Sequence, residues 1–229
     1  MHAGRGDLPR FLDHLASGTL TGAPPGEYIA LLQEDVESGD RSAVRIAASR
    51  GLSTFFVPVR VDGSRVSGNV ALSTLPLESP RGIELRRERQ PRAAAMAWIT
   101  IAGERLFLVN VHMENRVAWW RGLFSDTARG RQAASLLQAL PSNEHGVLGG
   151  DLNTWLGPEE PAWRAMMRRF PDTPTDPPRP TFHDRLVLDH VFFDLPQGWS
   201  ATRRVVSDTY GSDHHPVIAT VATKATKTN

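Results

Sequence analysis

The sequence contains no cysteine, which excludes a disulfide framework, a thiolate nucleophile and any sulfur-ligated metal. A metal, if held, must be taken by Asp, Glu, Asn or His. Long apolar runs are missing too. Nothing approaches the ~18 residues of a membrane span, and Met1 to Arg10 carry no signal-peptide core. Nor is there an excess of charge: 26 Lys plus Arg stand against 25 Asp plus Glu, a formal net charge of +1. Bulk charge therefore advertises neither a nucleic-acid nor a membrane partner, and any basic surface must be local. Tyrosine is scarce, with Tyr28 and Tyr210 alone. What remains is an ordinary globular balance, 40% hydrophobic and 22% charged, able to bury a core and unlike a disordered, collagenous or coiled-coil chain. At 229 residues, against ~150 per domain, the expected organisation is one unit over residues 1–223 with a flexible tail over 224–229.

Short apolar runs alternate with turn signals. Strands are expected over Ile29–Gln33, Thr54–Val61, Val70–Leu75, Ala94–Ile101, Leu106–His112, Gly146–Gly150, Leu188–Phe193 and Val217–Ala222. Helical spacing runs from Leu8 to Leu15. A second helix, capped by Asp40, reaches Ala48, and a third, capped by Asp126, turns Leu136, Leu137 and Leu140 inward before Pro141. A fourth spans Glu159–Arg169. The stretch Pro171–Pro180 can hold neither helix nor central strand and reads as an ordered loop or flap. With no repeat and no domain-scale linker, the mixture predicts one layered α/β unit with antiparallel and parallel pairs.

Chemistry-bearing side chains fall at the ends of those strands. Glu34 closes Leu31-Leu32-Gln33, His112 closes Val109-Asn110-Val111, and Asp151 with Asn153 follows Val147-Leu148-Gly149-Gly150. Asp189 and His190 open a strand, while Asp213, His214 and His215 precede another. Each alone has a bland reading as a solvated strand end, a rim histidine or an Asx turn. Together they place oxygen donors and imidazoles at the rim of a core, where a hard cation such as Mg²⁺ takes a few oxygens and keeps its waters. His215 is read as structural.

In order along the chain, Gln33-Glu34, Gly68-Asn69-Val70-Ala71-Leu72-Ser73, Val111-His112, Arg131-Gln132, Gly150-Asp151-Leu152-Asn153, Leu188-Asp189-His190 and Ser212-Asp213-His214-His215-Pro216 resemble the motifs of the endonuclease/exonuclease/phosphatase superfamily. Pancreatic-type deoxyribonucleases, apurinic endonucleases, sphingomyelinases and inositol-polyphosphate phosphatases share that fold. The resemblance spans Gln33 to Val217. It implies an α/β fold, a layered α/β sandwich of two packed mixed β-sheets flanked by helices. It also implies catalytic roles for His112, Asp151, Asn153, Asp189 and His214, and metal ligation by Glu34 and Asp213 of Mg²⁺, with Mn²⁺ as a substitute. Asp189 would hydrogen-bond His214, and Asp151 with Asn153 would orient water and phosphate.

The implied function is Mg²⁺-dependent hydrolysis of a phosphate ester, a phosphodiester in the manner of a nuclease. A phosphomonoesterase on a small or lipid-linked phosphate is the alternative within the class, and a catalytically impaired phosphate-binding domain the alternative outside it. The partner is the phosphate-ester substrate, with nucleic acid among the candidates; no obligate protein partner is implied and a monomer is expected. His112 without a neighbouring tyrosine looks unlike the apurinic branch. Arg81, Arg86, Arg87, Arg89 and Arg92 form a basic stretch that could track a nucleic-acid backbone, and Trp119-Trp120-Arg121 could stack on bases or enter a headgroup layer. One departure stands out. Family members open with a strand ending in an Asn that joins the metal site, and no such strand precedes Glu34. An upstream segment is expected to carry it; a shortened domain with a weaker metal shell is the alternative. The compartment stays open.

Overall fold

In the computed structural model, which describes residues 6–37, 39–40, 42–115, 122–176 and 179–224, the first element is helix α1 (Leu8–Ala16). Asp7 caps it by accepting the Arg10 N–H, Pro9 occupies its first turn, and Leu8, Leu12 and Leu15 bury the 3-to-4-spaced face. Then follow β1 (Ile29–Val36), α2 (Ala43–Ala48), β2 (Ser53–Asp62), β3 (Arg65–Ser73), β4 (Glu78–Glu84), β5 (Ala93–Ile101) and β6 (Glu104–His112). The chain continues through α3 (Gly122–Ala139), β7 (Gly146–Asp151), α4 (Pro161–Arg169), β8 (Asp189–Asp194), β9 (Ser200–Val205) and β10 (Val217–Ala222).

The result is an α/β sandwich. A five-stranded sheet, ordered β4-β5-β6-β7-β8, faces a three-stranded sheet β1-β3-β2 and a hairpin β10-β9. Among the ten described strands, parallel pairing is confined to β6 with β7, with one isolated parallel bridge from Pro171 to Phe193 of β8. α3 and α4 cover the outer face of the larger sheet through Leu136, Leu140, Trp163 and Met166, packed on Phe107, Val109, Leu148 and Phe192. α1 and α2 cover the smaller sheet through Leu8, Leu12, Ile46 and Ala47, packed on Val70 and Leu72. Central strands β5, β6 and β7 are buried on both faces, which is why they read as continuous apolar runs.

Two strands escape the sequence reading. β4 is a sheet edge with a single buried residue, Ile83, and contains Pro80 and Gly82, so it lacks the period-2 signal. β9 carries Thr202, Arg203 and Arg204, a polar run that among the described residues pairs only with β10. Two helix starts are also corrected. α3 begins at Gly122, so Asp126 lies inside it rather than at its cap. α2 begins after Ser42, and the carboxylate that accepts the Ala43 N–H belongs to buried Asp35 (3.1 Å), while exposed Asp40 accepts from Arg45 instead.

Candidate active site

The strand ends of both layers meet at one cavity of about 260 Å³. It is lined by all seven residues singled out from the sequence: Glu34, His112, Asp151, Asn153, Asp189, Asp213 and His214. Local backbone explains how. Glu34 sits at φ 56° in a bulge between Leu32 and Asp35, so that β1 sends Glu34 to the cavity and Asp35 to α2. His112 and Asp151 are register partners at the parallel β6–β7 ends, and Asp151 is in turn the partner of Asp189 on β8. Gly150, at φ 148°, lets β7 approach so closely that a Cβ would collide with the Val111 carbonyl. Asn153, at φ 52°, donates its backbone N–H to the Asp151 carboxylate (2.8 Å) and its side-chain amide to the Met113 carbonyl (3.2 Å).

Electrostatics separate the titratable groups. Burial alone would lower the His214 pKa, but the hydrogen bond from Nδ1 to Asp189 (2.6 Å) and the charges of Asp189, Asp151 and Asp213 outweigh it and raise it to about 9. Burial, reinforced by the Asp189 charge, raises Asp151 to about 7. His112 moves the other way: burial, then the Arg92 guanidinium, hold it well below the usual imidazole range. Its Nε2 lies 3.5 Å from Asp151 Oδ2, a contact between a neutral imidazole and a carboxyl rather than an ion pair. The ring of Phe182 lies on His214 at 4.8 Å.

Other motif residues hold the frame. The Asn69 amide donates to the Ala93 carbonyl (2.7 Å), and Asn110 donates to the Leu32 and Val70 carbonyls (2.8 and 2.9 Å), tying the two layers together. Gln132 accepts the Glu114 N–H (2.8 Å) and Arg131 grips Glu88 at 2.8 and 2.6 Å. His190 is buried against Trp163, its Nε2 on Thr154 (2.8 Å) and its pKa pushed down to about 3 by burial. His215 meets the Val206 carbonyl (3.0 Å) and Asp184 (3.2 Å), away from the cavity. The arginine stretch does not form a stripe. Arg81 reaches the Ala139 carbonyl, Arg86 lies beside Glu88, and Arg92 is buried. Trp119-Trp120-Arg121 lies outside the described residues, as does the tail beyond Lys224. Gln33 and Leu188, from the motifs that carry Glu34 and Asp189, also line the cavity, as do Asn115, Trp155 and Phe182; the last three stand at no strand end and in no spaced pair, so nothing in the sequence distinguishes them.

The profile of the Endonuclease/Exonuclease/phosphatase family matches residues 4–214. The chain belongs to this family. Its members are hydrolases that act on phosphate esters. Solved structures agree on the fold of this family member. An endonuclease/exonuclease/phosphatase from Beutenbergia cavernae DSM 12333 superposes with a TM-score of 0.69 at 18% identity, covering 96% of this chain and 68% of that one. Sphingomyelinase C from Streptomyces griseocarneus gives 0.62 at 19% identity, covering 92% and 90%. A beta toxin mutant from Staphylococcus aureus, with bound magnesium ions, gives 0.62 at 14% identity, covering 83% and 85%. No curated protein matches this family member's sequence.

The donors suit a hard cation. Asp151, Asp189 and His214 each present an atom within 4.8 Å of the others, but an imidazole held protonated by Asp189 is a poor ligand, which leaves carboxylate oxygens. The Asp151 carboxyl, raised to about 7, is a buried charge that the protein compensates only in part, and a divalent cation at this cavity would complete that compensation.

Proposed function

We propose that this family member is a divalent-metal-dependent phosphodiesterase using Mg²⁺, with Mn²⁺ able to replace it. The observation that carries the reading is the His214–Asp189 pair at 2.6 Å beside a carboxyl poised near neutrality. Environments that push two groups apart in this way assign an acid and a base. Glu34 and Asp213 would hold the cation, whose Lewis acidity offsets charge building on the phosphate oxygens. Asp151 takes a proton from the attacking water, which Asn153 helps to orient. The water oxygen bonds to phosphorus, the ester P–O bond breaks, and the leaving oxygen takes the proton of the His214 imidazolium. Neutral His112 holds the Asp151 side of the site in position.

A diester fits better than a monoester because, among the described residues, no Lys or Arg lines the cavity. A phosphomonoester carries nearly two charges at neutral pH, its second pKa being ~6, and a diester carries one. With Arg81 on the Ala139 carbonyl, Arg86 beside Glu88 and Arg92 buried, the arginine stretch does not present a continuous basic track that would favour nucleic acid over a smaller diester. The test compares bis(p-nitrophenyl) phosphate with p-nitrophenyl phosphate in Mg²⁺ and in EDTA. Diester turnover that stops in EDTA is expected. Turnover undiminished in EDTA, or a preference for the monoester, would overturn the reading, and no turnover of either would favour a phosphate-binding domain.

A further inference from the structure

The His214–Asp189 pair joins two separate parts of the fold. His214 lies in the segment before β10, and Asp189 is the first residue of β8, a strand of a different sheet. Their 2.6 Å contact therefore needs something that sets one backbone against the other. Thr181 touches both. Its hydroxyl oxygen accepts the N–H groups of Leu188 (3.0 Å) and Asp189 (3.1 Å), and its carbonyl accepts the His215 N–H (2.7 Å). The residue is fully buried and does not itself line the cavity.

Successive N–H groups of a regular strand point to opposite edges, so one oxygen that takes both fixes the turn by which the chain enters β8. The Leu188 carbonyl in turn accepts the Leu152 N–H (2.9 Å), which seats the turn carrying Asp151 and Asn153 on the same dipeptide. Thr181 is held by a tight hairpin. Its own N–H and that of Phe182 reach the Leu186 carbonyl (2.7 and 3.0 Å), with His183 and Asp184 at φ 48° and 54° at the tip. Phe182 forms a bridge to His214 and lies on its ring. At the far end of β8, away from the cavity, a second buried threonine makes an equivalent bond: Thr173 accepts the Phe193 N–H (2.9 Å) and donates to the Phe170 carbonyl (2.8 Å).

We propose that Thr181 is a positioning residue for the acid–base pair, holding the Asp189 carboxylate against His214 through the backbones of Asp189 and His215. The proposal deepens the phosphodiesterase reading, and its effect on turnover rests on that reading. Thr181→Val keeps the shape and removes the acceptor, so two buried N–H groups lose their partner. The entry to β8 must then shift to satisfy them, and Asp189 moves with it. Rate is sensitive to such a shift, since a misplacement of ~1 Å can cost ~100-fold. Serine at the same position keeps the oxygen and with it both bonds.

The experiment measures kcat, KM and Tm for Thr181→Val, Thr181→Ser and Thr173→Val, with bis(p-nitrophenyl) phosphate in Mg²⁺. Thr181→Val should lower kcat by ~10- to 100-fold and leave KM nearly unchanged, and Thr181→Ser should recover most of that loss. Thr173→Val also strands an N–H of β8, so it should lower Tm in the same way while keeping the kcat of the unaltered protein. A second measurement needs no turnover. Nitrogen NMR shifts of the His214 imidazole report its Nδ1 hydrogen bond, and they should change in Thr181→Val but not in Thr173→Val or Thr181→Ser. Thr181→Ala, which admits water to the stranded N–H groups, gives the same measurements if the valine variant does not fold. If the unaltered protein turns over no diester yet those shifts change in Thr181→Val, the phosphodiesterase reading falls and the positioning role stands. Unchanged shifts, an equal loss of kcat from Thr173→Val, or no recovery with Thr181→Ser would overturn the proposal.

Discussion

Asp189 works on two neighbours at once. Its carboxylate raises His214 to about 9 through a hydrogen bond and charge, and its charge helps burial to raise Asp151 to about 7. If activity needs Asp151 ionised and His214 protonated, kcat/KM should rise as Asp151 loses its proton and fall as His214 does, with a bound cation drawing both limbs below the metal-free positions of about 7 and about 9. Asp189→Asn removes the charge felt by both, so both limbs should move to lower pH, with a loss in kcat of ~100-fold. A pH–rate profile at saturating Mg²⁺ checks this; limbs that stay in place would show that other groups are titrating. The same scale explains why motif residues divide into chemistry and frame. Asp189 and His190 are adjacent, but strand alternation turns one to the cavity and buries the other on Trp163.

Among the elements, α2 shows how a tertiary neighbour displaces a sequence-local cap. Asp40 has the right residue type and position, yet the bulge at Glu34 delivers the Asp35 carboxylate to the Ala43 N–H. Asp35→Ala should therefore cost about 1–2 kcal/mol, read as a shift in the denaturation midpoint. Asp40→Ala, which removes an exposed pairing with Arg45, should stay within about 0.5 kcal/mol. Equal effects would contradict this placement of the cap. β4 and β9 illustrate the converse problem. Edge strands need no alternating apolar face, and their pairing is decided by the neighbour they lie beside, Ala93–Ile101 for β4 and Val217–Ala222 for β9.

At the scale of the whole molecule, the candidate active-site cavity draws Glu34 from the smaller layer and His112 and Asp151 from the larger. A cation held there by Glu34 and Asp213, as proposed, would clamp the two layers. Mg²⁺ at ~100 times its Kd should raise Tm by about 5–10 °C over the protein in EDTA, since binding to the folded state alone adds ~2.7 kcal/mol. Glu34→Gln should abolish most of that rise. A shift that survives Glu34→Gln would place the cation elsewhere.

The sequence by itself determined the central strands, the helices' apolar faces and the residues at the strand ends. Burial on both faces leaves an unbroken apolar run, and a polar residue that ends such a run must sit at the rim. Only the tertiary structure decided which of those residues meet. Gln33 finds Asn110 across 77 positions, and no local pattern records such a distance; the His214–Asp189 pair, 25 positions apart, was implied by the family resemblance and not by any local pattern. It also decided that Arg92 is buried behind the site rather than displayed, that His215 turns to Val206, and that β1 and β10 face each other across an apolar cleft. Periodicity reports whether a side chain is buried. The partner it is buried against is set by how the layers stack, and that is a property of the folded chain alone.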